Sequence, residues 1–381
     1  MIAKILLPIV LIVLLTACYL DRVYWRHGRR WKRVVGWGTT AVAMYATIAQ
    51  SLTRDYFPDD IDCLFLYLHL LCVVIVPTVI YTFCLFVGRL LRHQRHGEVA
   101  GCLLAVLSAS VYLYGTFIGS EVIETTQFSY AHRAVPKAFQ GYKIVQFSDA
   151  HVGSYTGSRE AVLRDAVKRI NAQHADLVVF TGDLQNKRAE EIEAHRQLLS
   201  SIQAKDGVVA VLGNHDYGEY LGGTKAEKDA ACARTREAFR QLGWTLLRNE
   251  HLVIRRGNDS IVIAGMENDG EGRFPCLGNI TKTMEGVSPG AFVIMLEHDP
   301  TSWRRKILPF SHAQLTLSGH THGGQMSLFG LSPAAMRYKE YSGRYDEYGR
   351  TLYVSKGLGG VIPFRLGAPG EIVVVTLAID H

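Results

Sequence analysis

Four long apolar stretches crowd the first third of this 381-residue chain, at roughly 2–20, 34–53, 63–88 and 100–120. No other feature narrows the possible folds as much. A hydrocarbon layer ~30 Å thick takes ~20 apolar residues in a helix. Inside it every backbone N–H and C=O must be paired, which leaves helices or closed barrels. Each stretch approaches that length. The second is diluted by Gly36, Gly38, Thr39, Thr40 and Gln50, and the third contains Pro77, which a helix bundle tolerates. We read residues 1–120 as a region of four transmembrane helices.

The formal net charge of +6 raises nucleic acid as a partner, and its distribution argues against it. Up to Ser120 there are 11 basic and 6 acidic residues; beyond it there are 30 and 29. The remainder is close to neutral and presents no excess for a phosphate backbone. The surplus sits in loops. Arg22, Arg26, Arg29, Arg30, Lys32 and Arg33 lie between the first two stretches, and Arg89, Arg92 and Arg95 between the last two. The middle loop has Arg54 against Asp55, Asp59, Asp60 and Asp62. Basic loops stay in the cytoplasm. Four spans then make this a multi-pass protein of the cell's inner membrane, with both termini and the larger part of the chain outside the cytoplasm. Leu15-Thr16-Ala17-Cys18 resembles a lipoprotein cleavage site, but translocating the basic segment after it opposes the same rule. We read the segment as an ordinary span. Five of the seven cysteines fall in the stretches; Cys232 and Cys276 are read as two separate thiols.

After Ser120 the pattern changes. Gln127 to Tyr130 reads as a first strand. Short β-branched runs then alternate with helical segments: 143–147, helix 159–173, 176–180, helix 188–203, 207–212, helix 225–242. Strands around 245–255, 260–265, 291–296, 313–318, 351–356 and 372–378 follow. Strands alternating with helices imply βαβ units and buried parallel strands; the strand-rich second half implies a partly antiparallel sheet. The fold class is α/β.

Each buried run stops at a polar cluster, and ligands of open α/β sheets bind beyond the carboxyl ends of strands. The clusters are Asp149-Ala150-His151, Gly182-Asp183, Gly213-Asn214-His215-Asp216, Glu297-His298-Asp299 and Gly319-His320-Thr321-His322-Gly323-Gly324-Gln325. Imidazole with carboxylate suits manganese, iron, zinc or nickel. On an extended segment Asp149 and His151 point the same way, as do His320 and His322. Two ions ~3.5–4 Å apart need a shared carboxylate, and Asp183 is the candidate. Any one of these histidines alone reads as a core or surface residue; five such clusters at five strand ends do not.

The order DxH, GD, GNHD, H, GHxH resembles the motif set of calcineurin-like metallophosphoesterases over about 135–381. The Gly319–Gln325 cluster, with Leu352-Tyr353-Val354-Ser355-Lys356-Gly357-Leu358-Gly359 downstream, is similar to the bacterial membrane-associated phosphodiesterase branch and to some UDP-2,3-diacylglucosamine pyrophosphatases. The resemblance implies a four-layer αββα sandwich at 135–381, with 121–134 as linker and first strand. It implies two divalent ions, manganese first among the metals above. Asp149, His151 and His322 would bind one, Asn214, His298 and His320 the other, and Asp183 both. His215 would protonate the leaving oxygen, oriented by Asp216. The implied reaction is hydrolysis of a phosphoester by metal-activated hydroxide, with a lipid or lipid-linked substrate at the bilayer. Two departures stand out: Asn186 replaces the usual last Asp of GDxxD, which touches metal tuning, and Ala368-Pro369-Gly370-Glu371 replaces a Pro-Pro-Glu. The competing reading is a membrane sensor or binding protein built on a phosphoesterase-like domain. The complete ligand set and His215 argue for the enzyme.

Overall fold

A computed structural model describes residues 2–52, 55 and 60–380, with the side chains of 2–7 outside the description. Arg54 and Asp59 of the middle-loop charge count lie outside the described residues. The chain divides into two units, Met1–Ile118 with Tyr220–Gly223, and Gly119–Glu219 with Thr224–His381.

The first unit is helical. Among the described residues, three helices are long and apolar enough to cross a membrane: Pro8–Trp25, Ile61–Leu90 and Gln94–Glu121. Pro77 falls in the second of these, and the helix widens to π geometry over Leu70–Ile75 just before it. Proline lacks an N–H, and a wide turn is one way to absorb the break in the ladder. The remaining apolar stretch of the sequence forms a 22-residue helix, Arg30–Ser51, outside those three. Its glycines and threonines dilute it.

The second unit holds two six-stranded sheets. Its strands are β1 (Ile123–Ala131), β2 (Lys143–Phe147), β3 (Leu177–Thr181), β4 (Val208–Val211), β5 (Thr245–Leu246), β6 (Glu250–Arg256), β7 (Asp259–Gly265), β8 (Phe292–Leu296), β9 (Leu315–Ser318), β10 (Gly343–Glu347), β11 (Arg350–Val354) and β12 (Gly370–Ala378). One sheet runs β1-β12-β2-β3-β4-β5 and the other β10-β11-β9-β8-β7-β6. β2 through β5 are parallel, as are β7, β8, β9 and β11. The second sheet is antiparallel only at its two edge pairs.

Period-2 alternation sorts the side chains. Ile144, Leu177, Val179, Val209 and Val211 of the first sheet share one core with Ile261, Ile263, Ile294, Leu296, Leu315 and Leu317 of the second. Their neighbours Val145, Phe147, Val178, Phe180 and Ala210 turn the other way. They pack on Leu163, Val167 and Ile170 of helix Glu160–Ala172 and Phe239 of helix Lys225–Gln241. Val262, Ala264, Val293, Met295, Leu352 and Val354 face Trp303 and Ile307. Both faces of each central strand are therefore buried, which is why the runs read as continuously apolar. Each Val, Leu, Ile, Phe or Met among them contributes about 1.5–3 kcal/mol of burial. That rigidity fixes the strand ends, where the polar clusters lie.

The expected helix 188–203 breaks at His195 into Ala189–Ala194 and Arg196–Leu199. β10 was not legible. Its sequence, Gly343-Arg344-Tyr345-Asp346-Glu347, is charged because it is an edge strand in contact with water.

Candidate metal centre

Five strand ends converge. β2 runs into Asp149 and His151, β3 into Asp183, β4 into Asn214–Asp216, β8 into His298, and β9 into His320 and His322. Backbone bonds stitch these loops together: Asp149 N–H donates to the Gly182 carbonyl at 2.8 Å, His151 N–H to Asp183 at 3.2 Å, and Gly319 N–H to His298 at 3.0 Å. Two glycines are demanded by close approach. A Cβ at Gly213 would run into the backbone N and Oδ1 of Asp183, and one at Gly319 into Ser148 Oγ and Asp149 Oδ2.

All nine residues singled out from the sequence are brought to this place, but not by the geometry expected. Asp149 and His151 do not lie on an extended segment, nor do His320 and His322. Asp149 (φ 49°), His151 (φ 48°), Asp183 (φ 62°), His320 (φ 74°) and His322 (φ 53°) are left-handed. Extended neighbours two apart stand ~6.6 Å from each other. The left-handed residues instead curl the loops, so that donor atoms of Asp149, His151 and His322 fall within 4.8 Å of one another. So do those of Asp183, His298 and His320, and those of His151, Asp183 and His215. Non-glycine residues in this region cost about 1–3 kcal/mol each, and such strain gathers at functional sites.

Each ring is held by one nitrogen and offers the other. His298 Nδ1 donates to the Thr181 carbonyl at 2.8 Å, leaving Nε2 3.2 Å from Asn214 Oδ1 and 3.3 Å from Asp183 Oδ2. His322 Nδ1 donates to the Gly359 carbonyl at 3.2 Å, with Nε2 3.4 Å from Asp149 Oδ1. His320 is reversed: Nε2 meets the Tyr338 hydroxyl at 3.0 Å and lies 3.6 Å from Asp299 Oδ2, while Nδ1 stands 3.2 Å from His298 Nε2. A partner on the far nitrogen fixes the tautomer and aims the ring. Tyr338 lies on a loop that no motif marked, and Thr181 and Gly359 act through their backbones. None of the three contacts could be read from the sequence.

His151 differs. It is 1% exposed, lies 3.7 Å from Asp183 Oδ2, and among the described residues neither ring nitrogen has a hydrogen-bond partner. Its ring stacks on His322 and meets His215 edge-on. Burial, with the neighbouring His215, drives its pKa well below the usual imidazole value. Leaving buried polar atoms unpartnered costs about 1–3 kcal/mol; a cation beside Asp149 and Asp183 would partner one of the two nitrogens. Burial alone would raise Asp183, but the charges of His298 and His215 overcome it and hold the carboxyl well below its ordinary range. Burial lowers His298 in turn, and Asp183 outweighs it, so that His298 is raised to about 10. A site that retains a cationic imidazole against a carboxylate is one that a cation fits.

Asp216 does not occupy the position expected of it. Its carboxylate accepts backbone N–H groups of Asp183 (2.8 Å), Leu184 (3.1 Å) and Gly213 (2.9 Å), so it ties the β3 and β4 loops together. The group at the His215 ring is the Asn186 carbonyl, 2.5 Å from Nδ1. Asn186 therefore serves through its backbone; its side-chain amide donates to Ser154 Oγ at 3.1 Å. Glu297 is fully buried, where desolvation pushes its pKa well up, and it accepts the Asp269 N–H at 2.9 Å.

Two α/β sheets whose strand ends gather histidines, aspartates and an asparagine around the buried Asp183 carboxylate define a metal-dependent hydrolase. The chain belongs to the calcineurin-like metallophosphoesterases: the Calcineurin-like phosphoesterase family model matches residues 142–324, and the family uses two divalent metals. The chain is 33% identical over 286 residues to the uncharacterised metallophosphoesterase YkuE of Bacillus subtilis, covering 72% of this chain and 92% of that one. It is 27% identical over 324 residues to a transmembrane protein with metallophosphoesterase domain from Danio rerio, covering 78% and 71%. It is 26% identical over 325 residues to the UDP-2,3-diacylglucosamine pyrophosphatase LpxG of Chlamydia trachomatis, covering 72% and 95%.

Proposed function

We propose that this protein is a membrane-anchored phosphoesterase. Asp149, His151 and His322 hold one divalent ion, Asn214, His298 and His320 a second, and Asp183 is shared. The observation that carries this is His151, buried with both nitrogens unpartnered between Asp183 and His322. When bound, the ions supply charge neutralisation for the phosphoryl oxygens and acidify a water. Manganese is our first choice, before iron, zinc and nickel.

The chain's own residues do the rest. His215 keeps its Nδ1 proton on the Asn186 carbonyl, so the proton that goes to the leaving oxygen is the second one of the imidazolium, on Nε2, and the ring is left neutral with Nδ1–H. The His215 backbone N–H donates to Asp183 Oδ1 at 2.8 Å, which couples the acid to the shared carboxylate. Asp216 positions both loops through their backbones. This reading includes a four-layer αββα arrangement, a division at 1–120, 121–134 and 135–381, four spans, and a catalytic domain outside the cytoplasm.

The substrate we propose is a phosphoester at the membrane surface, a lipid or lipid-linked headgroup. Its support is the set of apolar helices and the name of the Chlamydia relative, the second by analogy. Hydrolysis of a panel of lipids and nucleotides, followed by the phosphate or phosphomonoester and alcohol released, each with manganese, iron, zinc and nickel, tests it. A free nucleotide as best substrate, indifferent to acyl length and vesicles, removes the lipid reading and keeps the phosphoesterase. No turnover with any metal favours a sensor.

A further inference from the structure

Two loops that supply no candidate ligand join beside the centre. Met326 bridges to Leu366 in parallel register. Ser327 N–H donates to the Leu366 carbonyl at 2.7 Å, and Leu366 N–H to that of Gln325 at 2.9 Å. The Gln325 side-chain amide reaches the carbonyls of Ile362 and Phe364 at 2.9 and 3.1 Å. Segment 325–331 is therefore fastened to segment 362–366, starting three residues after His322.

At its tip, Leu328 and Leu331 exchange both backbone hydrogen bonds at 2.9 Å. They close a two-residue turn in which Phe329 (φ 53°) and Gly330 (φ 79°) are both left-handed. Such turns favour Asn or Gly at the first position. Here a phenylalanine takes the strained conformation and is 103% exposed, with Leu331 at 77% and Met336 at 92%. Leu328 and Ile362 are exposed as well. Large apolar side chains grouped in the open, one of them in a strained conformation, are marks of an interaction surface. The chain just after Met336 exposes two basic residues, Arg337 and Lys339. Arg337 Nε contacts the Tyr338 hydroxyl at 3.2 Å, and that hydroxyl holds His320.

We infer that the Leu328–Leu331 turn, with Met336, seats in the interfacial layer of the bilayer. Phe329, Leu331 and Met336 enter among acyl chains, and Arg337 and Lys339 meet anionic headgroups. An apolar tip beside basic residues is the composition of interfacial anchors. The same chain carries three helices apolar enough to cross a membrane, so lipid is the surface always at hand. The turn is also narrow, whereas a stable protein interface takes ~20–30 residues a side. Seated this way, the loop after His322 lies at headgroup depth. The inference deepens the proposed reading of a phosphoester at the membrane surface, and the docking itself can be tested apart from it.

The full chain, reconstituted in vesicles of phosphatidylcholine and phosphatidylglycerol in equal parts, should carry benzoylphenylalanine at position 329 or, as control, at Tyr348, an exposed turn residue between β10 and β11. Light should give a lipid adduct from 329 and none from 348. Adducts from both positions, from neither, or from 329 to a second copy of the chain overturn the docking. A triple variant F329S/L331S/M336S should then lose ~10-fold or more on a phosphodiester embedded in the vesicles, as lost interfacial binding requires. Its turnover of bis-p-nitrophenyl phosphate should hold. A lipid adduct with an unchanged vesicle rate keeps the docking and defeats the lipid substrate.

Discussion

The His215 ring stands with Nδ1 2.5 Å from the backbone carbonyl oxygen of Asn186. A carbonyl can only accept, so the ring is held in the tautomer that presents Nε2. The departure from the family motif at position 186 thus falls on a residue whose contact with the acid is made by its main chain.

That relationship separates two variants. His215→Ala should keep its metal and lose about 10²–10⁴ in rate, the usual worth of a general acid. The loss should be greater for a poor leaving group than for nitrophenol. Asn186→Ala keeps the carbonyl and should lose less than ~10-fold, well short of that general-acid range. Equal losses for the two variants, or for the two leaving groups, would remove His215 from the role.

Metal uptake should release a proton. Without ions, Asp183 keeps His298 charged up to about pH 10, and an imidazole must be neutral to bind a metal. Affinity should therefore rise with pH from 7 towards 10. His151, His320 and His322 have lowered values, are already neutral at pH 7 and add no release there. Calorimetry at pH 8 in buffers of different ionisation enthalpy measures the count; zero protons would show that Asp183 does not hold His298 charged.

Protease added to intact spheroplasts should free the catalytic unit, as the loop charges imply. Cleavage only after lysis would reverse the orientation.

How far the sequence was readable follows from where each residue's partners lie. Strands such as Lys143–Phe147 were legible because Ile144, Val145 and Phe147 are β-branched or aromatic and the strand is buried after Lys143. The residues that gather at the strand ends were legible because the proposed chemistry fixes residue type there. The left-handed curl at Asp149, His151, Asp183, His320 and His322 was not, since aspartate and histidine adopt it only under tertiary constraint. Tyr338 and the Asn186 carbonyl were hidden for a related reason: each meets its histidine across a loop, and a backbone atom leaves no mark on residue identity. Helix Arg30–Ser51 formed where an apolar stretch was read, yet helicity and lipid exposure are separate properties.

The central claim is a two-metal hydrolase with Asp183 shared, and elemental analysis paired with turnover tests it most directly. The chain should bind two divalent ions and hydrolyse bis-p-nitrophenyl phosphate only while they are bound. Asp183→Ala should lose metal and turnover together. Full metal occupancy in that variant, or turnover that survives exhaustive chelation of the parent, would contradict the account.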